Sequence, residues 1–203
     1  MALIGVRYSA FSPITSLVEG SPIEYGNGRE VGMDISVNVS ITRNSTVLNA
    51  NDVTAEEDNS ISEAQITVNL DDLTLENEAF ICGTLEQTTG TGEGATKHYQ
   101  DTDAPAPLGG YGYVRVRQKT NQTTGVTVRT FIATWWYKVR ARIETEENQT
   151  KGQNKEFRTP TVIMRAMGSI IDNSEYIKFR DRQEFSTYAA AKAFIDNYAN
   201  ITA

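Results

Sequence analysis

The chain has 203 residues, 39% hydrophobic and 22% charged, with a formal net charge of −7. That length suffices for a sizeable core, and the acidic balance argues against a stable complex with nucleic acid, which relies on Lys and Arg neutralising phosphates. A single cysteine, Cys82, and a single histidine, His98, exclude an internal disulfide and a Cys/His zinc site.

The start, MALIGVRYSAFSP, has no basic stretch followed by a continuous apolar run, so it does not read as a signal peptide. No segment has the apolar length of a membrane helix, and the expectation is synthesis in a cytoplasm. LIGVRYSAFS is strand-like and leads into a Gly/Pro-rich loop, EGSPIEYGNGREVGM. In DISVNVSITR, Ile35, Val37, Val39 and Ile41 alternate with Asp34, Ser36, Asn38 and Ser40. In SEAQITVNLD, Ala64, Ile66, Val68 and Leu70 alternate with Glu63, Gln65, Thr67, Asn69 and Asp71. Period-two alternation predicts two half-buried strands. The simplest arrangement is a long antiparallel hairpin with an acidic loop at its tip, Asn49 to Ser60, containing Asn49, Asn51, Asp52, Glu56, Glu57 and Asp58.

DLTLENEAFICG predicts a short helix, capped by Thr74, ended by Gly83, with Leu75, Ala79 and Cys82 at helical spacing. Cys82 is then a small core residue. Residues 86–107 read as a polar loop that holds His98, and GTGEGATK within it misses the spacing of a phosphate-binding loop. GYGYVRVRQK and GVTVRTFIATWWYKVRARIE, joined by TNQTTG, form a second hairpin. Its second strand places Phe131, Ala133, Trp135, Tyr137, Val139, Ala141 and Ile143 on one face. At about 3.3 Å per residue it runs over 40 Å, well beyond the usual five or six residues. Alternation puts one of Trp135 and Trp136 inside and the other outside, and the change of parity between Val128 and Phe131 predicts a bulge near Arg129 and Thr130. EFRTPTVIMRAM is a further strand, with Pro160 at its start or at a sheet edge. YIKFRDRQEF is strand-like. STYAAAKAFIDNYAN predicts a helix whose stripe is Tyr188, Ala191, Ile195 and Tyr198, with Phe194 beside it.

The sum is a mainly β chain: a β-sandwich or open barrel of about seven or eight strands, with a flanking helix and a C-terminal helix. No arrangement of nucleophile and base stands out, and Asp71–Asp72 and Glu56–Glu57–Asp58 read as strand-end and loop charges, so the chain is read as a non-enzyme without cofactor or metal.

In order and spacing, several segments resemble the major tail proteins of long-tailed, non-contractile phages (siphovirus type) of Gram-positive bacteria, which build the tail tube. They are VRYSAFS; VNVSITRNSTVLNANDVTAEEDNSISEAQITVNLDDLTLENEAFICG; APAPLGGYGYVRVR; WWYKVRARIETEENQTKGQNKEFRTPTVIMRAM; and the last helix. The resemblance spans nearly the whole chain and implies one tail-tube domain over residues 1–203, without the C-terminal immunoglobulin-like module of some relatives. It implies hexameric rings stacked into a tube whose lumen is a β-barrel shared by every subunit. Expected partners are further copies of the chain, a tape-measure protein, tail-tip and tail-terminator proteins, and DNA in passage without specific binding; no membrane is involved. The expected location is the virion, after assembly in the host cytoplasm. On this reading Asp34, Ser36, Asn38, Ser40, Glu63, Gln65, Thr67, Asn69 and Asp71 line an acidic, amide- and hydroxyl-rich lumen, and the Asn49–Ser60 loop contacts a neighbouring subunit or ring. The alternatives are the inner tube of a contractile tail or injection machine, and a carbohydrate-binding sandwich using Trp136 with Tyr111 and Tyr113.

Overall fold

A computed structural model describes residues 2–32, 34–50, 53–58, 60–90, 95–120, 123, 125–143 and 159–202. Among the described residues the chain is mainly β, antiparallel, with two helices. The elements in order are β1 (Ala2–Ser16), β2 (Glu24–Tyr25), β3 (Arg29–Glu30), β4 (Asp34–Arg43), β5 (Thr46–Ala50), β6 (Val53–Asp58), β7 (Ile61–Leu70) and α1 (Leu75–Cys82). They continue with β8 (Leu85–Thr89), β9 (Thr96–Gln100), β10 (Leu108–Thr120), β11 (Thr127–Ile143), β12 (Thr161–Ala166), β13 (Arg180–Phe185) and α2 (Tyr188–Ala199).

One sheet carries the architecture, in the order β2-β1-β10-β11-β12-β7-β4, with β13 on β11 and β3 on β1. Its inner face closes over a core drawn from both halves, including Phe11, Ile66, Val68, Leu70, Tyr111, Trp136, Val139, Val162 and Met164, with Ile81 of α1 among them. This is a β-sandwich-like arrangement, and the expected fold class is what the chain adopts. A second core lies on the outer face, where Tyr8, Ala10, Val114, Ala133 and Trp135 are covered by Ala191, Ile195 and Ala199 of α2.

The long strand explains how one sheet serves two cores. Gly109 pairs with Val139 but Tyr111 pairs with Trp136, so β11 carries one extra residue at Tyr137–Lys138. A bulge of this kind reverses which side chains face which way. Phe131, Ala133, Trp135 and Tyr137 therefore pack under α2, whereas Val139, Ala141 and Ile143 pack in the inner core. The bulge expected near Arg129 is absent, since pairing runs unbroken from Thr120↔Thr127 to Val116↔Phe131. The extra residue also marks a change of partner: Phe131 to Trp136 pair with β13, and Val139 to Ile143 pair with β12. Neither tryptophan reaches solvent, at 0% and 1% exposure, which corrects the expectation of one in and one out.

Several smaller expectations hold for local reasons. Thr74 accepts a hydrogen bond from the Asn77 amide and Gly83 ends α1 in the left-handed region at φ 82°; Thr187 caps α2 through the Ala190 amide. Leu75, however, is exposed, and α1 buries Ile81 instead. Pro160 directly precedes β12, and its carbonyl accepts from the Leu70 amide; the strand itself is interior, between β11 and β7. The polar segment around His98 is a small hairpin, β8–β9, that pairs only with itself. Residues 91–94 of GTGEGATK lie outside the described residues.

Trp135 has its own cradle. Its ring lies across β10 where Gly110 and Gly112 present no side chain; an added Cβ would sit 2.3 Å from its Cζ2 and 2.4 Å from its Cε3 respectively. The ring stacks on Tyr198 at 5.4 Å, meets Tyr25 edge-on at 5.3 Å, and its Nε1 donates to the Tyr25 hydroxyl at 3.2 Å. Overpacking of this kind costs about 1–3 kcal/mol. Gly112→Ala should therefore lower unfolding free energy by about 2–3 kcal/mol in denaturant titrations, and Gly125→Ala, whose added Cβ meets nothing but whose φ is +69°, should lower it by about 1 kcal/mol.

Candidate functional site: an uncovered polar sheet face

The two predicted strands pair as expected, and their register decides what meets what. Ser36 lies opposite Asn69, Asn38 opposite Thr67, Ser40 opposite Gln65 and Thr42 opposite Glu63. On the other face Val37 opposes Val68, Val39 opposes Ile66 and Ile41 opposes Ala64. The period of two thus sorts hydroxyls and amides outward and aliphatic groups into the inner core. β12 extends the polar band, with Thr161 beside Asn69 and Arg165 beside Gln65. Asn69 holds the band together: its Nδ2 donates to Ser36 Oγ at 2.8 Å, and its Oδ1 accepts from Thr161 Oγ1 at 2.7 Å. Asn38, Ser40 and Gln65 are exposed, and no described helix or strand covers this face.

Seven of the nine residues expected on such a face are on it: Ser36, Asn38, Ser40, Glu63, Gln65, Thr67 and Asn69. Asp71 lies exposed just past the end of β7. Asp34 is a correction. Ile35 is an extra residue between Asp34↔Leu70 and Ser36↔Asn69, so Asp34 turns inward and Ile35 is left 53% exposed. The face is also not acidic. On the band itself Glu63 is the sole carboxylate among the described residues, 2.9 Å from Arg165, and Arg165 lies beside Arg140 on β11. Exposed pairs such as Glu63–Arg165 contribute little to stability, roughly 0–1 kcal/mol, so the face is held by register and amide ladders rather than by charge.

The acidic loop is more regular than expected. β5 and β6 form a hairpin that pairs with nothing else among the described residues, with Thr46 opposite Asp58, Val47 opposite Glu57, Leu48 opposite Glu56 and Asn49 opposite Thr54. It continues the β4–β7 ladder outward beyond Arg43 and Ile61, with the Asn44 amide donating to the Ser60 carbonyl at 2.8 Å. Asn51 and Asp52 lie outside the described residues.

The remaining sequence candidates are placed as follows. Tyr111 and Tyr113 are 0% and 4% exposed, so with Trp136 they offer no platform to a sugar ring. Cys82 is half-buried against the inner core, and burial, with Glu78 adding to it, pushes its thiol up to about 11, an unreactive setting. His98 is exposed on β9. Among the described residues no helix is long and apolar enough to cross a membrane.

No family model matches the chain, and no curated protein matches it significantly.

Sequence reasoning missed the inward Asp34, because a bulge is invisible to strict alternation. Its carboxylate oxygens, Ser9 Oγ and the Tyr111 hydroxyl are buried without a hydrogen bond of ordinary geometry. Burial pushes the Asp34 carboxyl up to about 6, the Ser9 hydroxyl opposing the rise and the Glu30 carboxylate adding to it. A carboxyl raised in the folded state leaves stability intact below the unfolded value near 3.8 and lowers it as pH climbs to about 6. At about 1.4 kcal/mol per pH unit the full effect is roughly 3 kcal/mol. Asp34→Asn should accordingly stabilise the fold by about 2–3 kcal/mol at pH 8 and leave it nearly unchanged at pH 4, as measured by denaturant unfolding at both values.

Proposed function

We propose that this chain is a structural virion subunit that polymerises as stacked hexameric rings into the tail tube of a long-tailed, non-contractile phage. The tube would house a tape-measure protein and conduct DNA during genome ejection. The observation that carries the reading is the polar band on β4, β7 and β12 that no described element covers, backed by an aliphatic core and extended by a hairpin that pairs with no other described strand. An isolated molecule has no use for a ladder of amides and hydroxyls whose β4 edge pairs with no further described strand, since such edges invite further pairing. A closed barrel shared among subunits removes the edge and gives the band an aqueous interior to face. The order of segments resembling phage tail-tube proteins supports the same reading.

With Glu63 matched by Arg165, the lining supplied by these strands is polar rather than acidic. Passage of DNA then rests on a smooth wall of short hydroxyl and amide groups, with no aromatic ledge on which bases could stack. The protein acts as a conduit and performs no chemistry. The virion is the expected location, with assembly in the host cytoplasm and with tail-tip and terminator proteins closing the two ends. The inner tube of a contractile tail would use the same geometry and differ in carrying a sheath.

The test is negative-stain electron microscopy of the concentrated protein, alone and with a tail-tip extract as initiator. Rings or hollow tubes of uniform bore are expected. Monomers under both conditions would contradict the reading. Replacing residues 46–58 with a short turn should leave the unfolding free energy within about 1 kcal/mol of the parent, because the hairpin pairs with no other described strand, and should abolish tubes.

A further inference from the structure

On the inner side of β4, opposite the polar band, a cleft of about 600 Å³ opens between Val37, Val39 and Ile41, the first part of β1, the middle of β10 and the start of β13. Three guanidinium groups converge on it: Arg115 from β10, and Arg180 and Arg182 from β13. Such convergence is unusual in an acidic chain, and it is not neutralised. None of the three makes an ion pair among the described residues, and Arg115 Nε is buried without a hydrogen-bond acceptor. Arg180 lies 4.9 Å over the Trp136 ring, and burial together with the neighbouring Arg182 makes its proton easier to lose than usual. The fold therefore holds like charges together beside an aliphatic wall, an arrangement that is stabilised when an oxyanion enters.

We propose that this cleft receives the acidic hairpin of a second copy of the chain. The inference deepens the tube reading by naming the contact that would join copies, and it rests on that reading. Charge complementarity selects the occupant. The run Glu56–Glu57–Asp58 lies on β6, and the β5–β6 hairpin, which continues outward from β4 and β7, pairs with no other described strand. Acceptors of this kind suit the planar donor forks of arginine. The surface that donates the hairpin differs from the surface that receives it, so the contact is head-to-tail, and a head-to-tail contact generates rings or filaments rather than a closed pair.

The test uses two full-length variants. The cleft variant carries Arg180→Glu and Arg182→Glu; Arg182→Glu alone, at an exposed position, serves if loss of the Arg180–Trp136 contact disturbs folding. The hairpin variant carries Glu56→Lys and Glu57→Lys. Each alone should self-associate at least about tenfold more weakly than the parent in sedimentation velocity. An equal mixture should recover association by alternation of the two variants, because the acidic hairpin of one meets the arginine cleft of the other and the lysine hairpin meets the glutamate cleft. A chain carrying both sets of changes should regain association. Tubes that form equally well from the cleft variant would overturn the inference and leave the tube reading standing. Charge-dependent open filaments without rings would support the inference and count against the tube. A mixture that stays monomeric would overturn it, as would a hairpin that closes onto the cleft of its own chain.

Discussion

The extra residue at Tyr137–Lys138 in β11 is the constraint on which the rest of the structure depends. Without it, alternation would hold Val139, Ala141 and Ile143 on the same side as Trp135, outside the sandwich and beyond the reach of α2. With it, a single strand supplies apolar side chains first to the outer core and then to the inner one, and it exchanges β13 for β12 at the same point. The Tyr137 amide donates to the Phe179 carbonyl and the Met167 amide to the Lys138 carbonyl, so the irregular residues remain hydrogen-bonded while the strand changes faces. The consequence for function is spatial. The outer surface of the rolled sheet is divided into an apolar area under α2 and a polar area on β12, β7 and β4 that the described helices leave open.

Much of this was legible in the chain. Alternation in DISVNVSITR and SEAQITVNLD identified a pair of strands and sorted their faces, because a half-buried antiparallel ladder leaves no freedom in the register once one face is aliphatic. Thr74, Gly83 and Thr187 marked helix ends, since their side-chain and backbone geometries answer needs that arise only there. What escaped was each place where a single residue is inserted. Ile35 and the Tyr137–Lys138 pair have nothing in their composition that distinguishes them from regular strand. Only the pairing partner reveals the insertion, and partners distant in sequence are not encoded locally. The assignment of Asp34 and the division of the β11 face failed for that one reason. The Asn49–Ser60 and His98 segments looked like loops because polar residues dominate them, yet a hairpin held by its own backbone ladder needs little hydrophobic alternation.

The site shows a related economy. A ladder of Ser, Thr, Asn and Gln lines this face, and hydrogen bonds between neighbouring strands tie its side chains together, as from Asn69 to Ser36 and from Thr161 to Asn69. Apart from the Glu63–Arg165 pair, charge gathers elsewhere: arginines in the cleft on the inner side of β4, and carboxylates along the β5–β6 segment of the sequence. On the proposed tube reading, a near-neutral lining and separate charged joints would let a polyanion slide past one surface while others recognise a neighbour.

The central claim, that the polar band faces the bore of a tube, is tested most directly by a cryo-electron microscopy map of the assembled protein at a resolution that traces strands. The account predicts that Asn38, Ser40, Gln65, Thr67 and Asn69 line the lumen while α2 lies on the outer side. A map that places this band on the outer wall, or buries it against a neighbouring subunit, would contradict it.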